Sequence, residues 1–117
     1  MKMETKQHIA AATAKSIYEA YPTLWERFGE RGFVHTEKDN LHHLDHLETA
    51  FSIKDKKIFT DYSSWLETVL TSRNVETALI IDNFERLIDI LPLHLEEDER
   101  VFMLECLEEA ISCLKQT

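Results

Sequence analysis

The chain has two glycines and two prolines in 117 residues. Sheet folds need turn residues at every strand reversal, so a β-sandwich or barrel has almost no material to turn with. Basic residues are also scarce: 13 Lys and Arg stand against 22 Asp and Glu, a formal charge of −9. Nucleic-acid binding works by neutralising phosphates, and an anionic membrane leaflet repels a field of this sign, so both partners are disfavoured. No run approaches the roughly 18 apolar residues of a membrane span. The first twenty residues are amphipathic and lack the apolar stretch and cleavage site of a signal peptide. The two cysteines, Cys106 and Cys113, lie seven apart in one expected helix. At ~1.5 Å rise per residue they stand ~10 Å apart along its axis, too far to bridge, and read as plain thiols of a cytoplasmic protein. There is no nucleophile motif, no glycine-rich phosphate loop and no His-Glu-x-x-His, so an enzyme is not expected.

What is present is helical periodicity, in a chain 44% hydrophobic. With no repeat or linker, residues 1–117 read as a single all-α domain of about six helices. The first helix is expected from about Lys6 to Ala20, with Ile9, Ala12, Ile17 and Ala20 on a stripe that also holds Thr13 and Ser16. Pro22 restarts the chain, and Leu24, Trp25 and Phe28 line a short helix that Gly29 can end. Gly32 to His35 reads as a turn. Thr36 and Asp39 resemble a capping box that opens a helix through about Ser52. After a polar break at Lys54–Lys57, the apolar pattern from Ile58 to Leu70 is strongly helical, with Asn74 as a stop. Thr77 to Leu91, before Pro92, and Asp98 to Leu114 complete the set. These last two helices are apolar around more than half their circumference, which predicts a homodimer interface.

A few polar residues sit on the wrong faces. On a helical wheel for 36–53, Leu44, Leu47, Ala50 and Phe51 cluster, His43 falls inside the cluster and Asn40 near its centre. His42, Asp45 and His46 fall outside it. On the next helix Tyr62 centres the apolar stripe, and Arg73 is almost in line with it. Arginine stays ionised and seldom faces a core unpaired. Two readings remain open for each. His43 is a buried neutral imidazole satisfied by a carbonyl or by Asp39, and Arg73 snorkels out over the helix end. Alternatively, His43, the Tyr62 hydroxyl and Arg73 converge as donors for a carboxylate or inorganic anion. Weaker readings are a metal at His42 and His46, which lack a third ligand, and a haem held by His43. No metal or other cofactor is expected. The acidic run Glu96–Glu99 reads as a solvated helix start.

The run Asp39-Asn-Leu-His-His-Leu-Asp-His-Leu-Glu-Thr-Ala-Phe, then Ile58-Phe-Thr-Asp-Tyr-Ser-Ser-Trp-Leu, then Leu70-Thr-Ser-Arg resembles a family of small bacterial helical sensor domains. Its pattern is Asp-x3-His-Leu, Phe-x2-Tyr-x2-Trp and Leu-x2-Arg, which places His43, Tyr62, Trp65 and Arg73. More narrowly, residues 6–115 are similar to plasmid-encoded sporulation-inhibitory sensor-domain proteins of bacilli, free-standing homologues of a sporulation histidine kinase sensor region. The resemblance implies a globin-like fold without haem, a homodimer, a fatty acid in an apolar tunnel and a bound halide (chloride) ion. It also implies a role in which the protein competes with the kinase for its signal and so inhibits sporulation. Leu47, Phe51, Trp65, Val69, Ile81, Phe84 and Ile88 are the candidate tunnel wall, each also explicable as core. At roughly 0.8 kcal/mol per buried methylene, a long acyl chain gains on the order of 10 kcal/mol before ordering costs. A ligand-free interaction module that pairs with a kinase sensor domain is the runner-up.

Overall fold

Two of the six expected helices are one. A computed structural model describes residues 1–116, and in it Thr23–Ile53 forms a single long element with a kink at Gly29 (φ 65°, ψ −164°). Gly29 does interrupt the helix as its residue type suggests, but the chain resumes helical geometry at once and the expected turn at Gly32–His35 is helical. Gly32 serves close packing instead: a Cβ there would collide with the Phe28 side chain and crowd the Tyr18 hydroxyl at 2.8 Å. The capping box is likewise absent. Thr36 lies mid-helix and its hydroxyl donates back to the Gly32 carbonyl at 2.9 Å, the bond a helical threonine makes when its backbone needs no cap.

The elements are α1 (Met3–Ala20), α2 (Thr23–Ile53), α3 (Lys57–Thr71), α4 (Thr77–Ile90), a 3-10 turn (Leu91–His94) and α5 (Glu97–Lys115). No strand occurs among the described residues. Lys54 ends α2 in the left-handed region (φ 60°). Asn74 (φ 65°) reverses the chain between α3 and α4, the stop its position predicts.

On α1 the buried face carries Ile9, Ala10, Thr13, Ala14, Ile17 and Tyr18. The expected stripe through Ala12 and Ala20 is turned aside, and Ala20 is exposed. Tyr18 has far more apolar area to bury than an alanine methyl, so it sets the rotation. The Met1 ammonium meets Glu48 at 2.7 Å and Lys6 reaches Asp45 at 2.9 Å and Glu48, tying α1 to α2.

The main core joins Leu44 and Leu47 of α2, Phe59 and Leu66 of α3, Phe84 and Leu87 of α4, and Met103 and Leu107 of α5. Helix α4 packs against α1, α3 and α5. Its wide apolar circumference is thereby covered only in part: Ile81, Ile88 and Ile90 are all half-buried. A second, smaller cluster forms around Ile17, Tyr18 and Leu24, with Phe28, Phe33 and Leu79 packed on it.

Candidate functional site

The wheel for α2 is realised in most positions. Asn40, His43, Leu44, Leu47 and Ala50 are buried, and His42 and Asp45 face outward, but Phe51 is only half-buried and His46, expected outside, is half-buried against Tyr62. His43 is 2% exposed, and its Nδ1 meets the Tyr62 hydroxyl at 2.6 Å. Burial pushes the imidazole pKa down to about 3, with His42 and His46 adding to the effect, so the ring is neutral. Burial, then Asp39 and Asp45, push the Tyr62 phenol up, so it keeps its proton. That hydroxyl has no other acceptor among the described residues. Donating to Nδ1 satisfies both groups and leaves the imidazole proton on Nε2. Phe84 meets the ring edge-on at 5.2 Å. Tyr62 is also stacked by His46 at 3.8 Å, with the planes 13° apart.

Beside His43 lies a second polar device. Asn40 and Asn83 exchange amide hydrogen bonds, Nδ2 to Oδ1, at 3.0 and 2.8 Å, and Asn40 also donates to the Thr36 carbonyl at 2.9 Å. Every buried side-chain nitrogen and oxygen among the described residues is partnered or reaches open space. The pair fixes α4 against α2, since sliding either helix would strand buried amide groups.

His43 and Asn83, but not Asn40, border a cavity of about 260 Å³ between α1, the first half of α2, the end of α3 and the first turns of α4. Its walls are mostly apolar: Ile17, Leu24, Phe28, Leu66, Leu70, Val75, Leu79 and Ile80. Its polar lining comprises Tyr18, His35, Thr36, Asp39, His43, Arg73 and Asn83. His43 and Arg73, thirty residues apart in sequence, thus meet at one space. Arg73 is exposed, and its guanidinium makes no hydrogen bond or ion pair with a described residue. It reaches towards solvent while bordering the cavity. Tyr62 does not line the cavity; it stands behind His43 and sets its tautomer. Asp39 is half-buried and forms no ion pair. Burial raises its carboxyl pKa, against the opposing pull of His42, His35 and Arg73.

The candidate tunnel wall is placed elsewhere. Leu47 and Phe84 are fully buried in the main core, and none of the seven candidates lines the cavity. Phe51 is half-buried, edge-on to Phe102 at 5.7 Å. Val69, Ile81 and Ile88 are half-buried. Trp65 is 60% exposed, a correction with a plain cause: the apolar stripe of α3 is wider than the surface its neighbours cover. Asn83 was missed, although it sits at helical spacing among Ile80, Phe84 and Leu87 and so carried the same signal as His43. In the sequence Leu24 and Phe28 read only as the apolar side of a short helix, and nothing in their spacing shows that they border a cavity.

No family model, curated protein or solved structure matches this chain. No group of three or more His, Cys, Asp or Glu among the described residues is placed to hold a metal. His42 and His46, the metal candidates, are instead linked through the His46 Nδ1–H, which donates to the His42 carbonyl at 2.8 Å.

Proposed function

We propose that the chain is a non-catalytic sensor domain whose cavity holds an amphiphilic carboxylate, a fatty acid, with its head at His43 and Arg73. The single observation that carries this reading is the shared cavity. A neutral imidazole with a free Nε2–H and an unpaired guanidinium border a space whose other walls are largely aliphatic. Apolar walls with a few convergent polar groups are the usual make-up of a small-molecule site. At about 260 Å³ the space lies just below the roughly 300–1,000 Å³ of such sites, which suits one slender chain better than a fused-ring cofactor. The acyl tail runs between Ile17, Leu24, Phe28, Leu66 and Leu70, not along the α3–α4 face that the sequence suggested. The same two donors suit a halide ion when no carboxylate is present.

The wider role rests on the resemblance of the Asp39–Arg73 run. In that reading the protein is a haem-free, globin-like homodimer in the cytoplasm. It withholds a fatty-acid signal from a sporulation sensor histidine kinase and so inhibits sporulation. The runner-up, an interaction module that needs no ligand, is favoured by the exposed indole of Trp65.

Native mass spectrometry of the purified protein, followed by denaturing extraction, tests the ligand directly. The expected result is one acyl chain per protomer, or stoichiometric uptake of added dodecanoate by emptied protein. Absence of both overturns the fatty-acid reading and leaves the interaction module.

A further inference from the structure

The polar lining of the cavity holds a contradiction that the fatty-acid reading has to resolve. An acyl carboxylate that docks at Arg73 enters a space already lined by the Asp39 carboxyl. Two carboxylates brought together beside one guanidinium repel each other, which favours a proton on one of them, since a single guanidinium offsets only one charge. Asp39 and Arg73 border the same cavity without forming an ion pair, so neither is committed to the other before ligand arrives.

We propose that Asp39 is the specificity-determining residue of this cavity: it takes up one proton from solvent as an acyl carboxylate docks at Arg73, so ligand and proton bind together. The inference rests on the fatty-acid reading above. The protonated carboxyl then donates its O–H to a ligand carboxylate oxygen, while Arg73 and the His43 Nε2–H supply the other donors. The charges facing Asp39 fit this role. His35 and His42 lie on its own helix, and Arg73 comes from the segment after α3; these three favour its ionised form. Tyr18 of α1 is held by Thr36, and its phenol is raised by burial. Tyr62 of α3 and His43 are both neutral, and α4 contributes only the neutral amide of Asn83. Burial outweighs the opposing pull of His42, His35 and Arg73 even in the empty site. A ligand that occupies Arg73 with its own negative charge removes part of that opposing pull.

The sign follows from linkage. A bound anion raises the Asp39 pKa further, so affinity is highest below the empty-site pKa and falls as pH rises towards the bound-state pKa. Between the two, one coupled proton lowers affinity by about ten-fold per pH unit. Calorimetric titration with dodecanoate, and with decyl sulfate, whose head stays ionised, measures this from about pH 5 to about pH 8. A His35→Gln/His42→Gln background keeps those imidazoles out of the profile. In that background the pH dependence persists, and proton uptake read in buffers of different ionisation enthalpy is one per ligand. Asp39→Asn abolishes the dependence and tightens binding at the alkaline end. A flat profile with Asp39 present, or an unchanged slope in Asp39→Asn, overturns the proposal while leaving the fatty-acid reading intact. Weaker binding of either probe by Asp39→Asn above neutrality also overturns it. No binding of either probe to any variant overturns both readings.

Discussion

Where α2, α3, α4 and α5 meet, Phe59, Phe84, Leu87, Met103 and Leu107 have no exposed surface and pack into one cluster. Where α1, the kinked start of α2 and the α3–α4 connection meet, residues of the same kind are nearly as buried but enclose about 260 Å³. Apolar content does not distinguish the two regions; backbone irregularity does. The closed region is built from uninterrupted helix. The open one is bounded by the Gly29 kink and by the reversal at Asn74, both in left-handed backbone. Arg27 ties these two irregular segments together, donating to the Asn74 carbonyl at 3.0 Å and meeting Glu76 at 2.9 Å. A helix that breaks cannot keep its side chains in register with a neighbour, and the gap this leaves is where Asp39, His43 and Arg73 come together.

The sharpest way to break this comparison is to truncate one leucine in each region. Leu107→Ala removes a fully buried side chain from close-packed surroundings and costs about 2–5 kcal/mol, as large-to-small core changes do. Leu24→Ala enlarges a space that already exists, forfeits fewer contacts and costs at most about 2 kcal/mol. Urea unfolding of both variants measures the difference. Equal losses would mean that the cavity region is as tightly packed as the core, and the distinction would fall.

His43 stands at the border between the regions, and pH separates its contribution from theirs. Its folded pKa, about 3, lies below the ordinary 6.5, so the unfolded chain binds the extra proton first as pH falls. The stability from a neutral buried His43 is fully present above about pH 6.5 and declines by about 1.4 kcal/mol per unit below it, roughly 2 kcal/mol by about pH 5. His43→Gln lacks this decline, and the gap between the two stability profiles from pH 7 to 5 is the readout. Parallel profiles would show that His43 is not held neutral.

Much of this was legible in the sequence, and the failures have physical causes. Period-3.6 patterning located the α-helices, though it split α2 in two at Gly32–His35, and one polar residue on an apolar face located His43. The wheel failed for Trp65 because it reports which side of a helix is apolar, not how much of that side a neighbour covers. For α4 the wheel marks a wide apolar face, and packing by α1, α3 and α5 accounts for part of it, leaving Ile81 and Ile88 half-buried. Gly32 read as a turn because sequence does not show whether a glycine is there for its backbone or for the missing Cβ. The cavity itself has no signature in the chain: its walls come from four separated stretches, and a void is defined by atoms that are not there. Asp39 was legible as a neighbour of His43 but not as a carboxyl facing Arg73, since that depends on the fold at Asn74.

The smallest expected effect on stability is also the one that tests what the open region is for. Arg73 is exposed and bonds no described side chain, so Arg73→Gln should change unfolding free energy by less than about 0.5 kcal/mol. A residue whose purpose was to cap α3 or brace the α3–α4 connection would cost more than that. Its worth should appear only when an anion is present: removing one charge-assisted donor from a carboxylate weakens binding by roughly 1.5–3 kcal/mol, about ten-fold or more in the dissociation constant. Dodecanoate titration and urea unfolding of the same Arg73→Gln preparation give the two numbers side by side. A protein that loses stability but not affinity would make Arg73 a brace for the chain reversal. One that loses affinity alone would mean that the open region keeps an unpaired charge for a ligand to meet, at almost no cost to the fold that holds it.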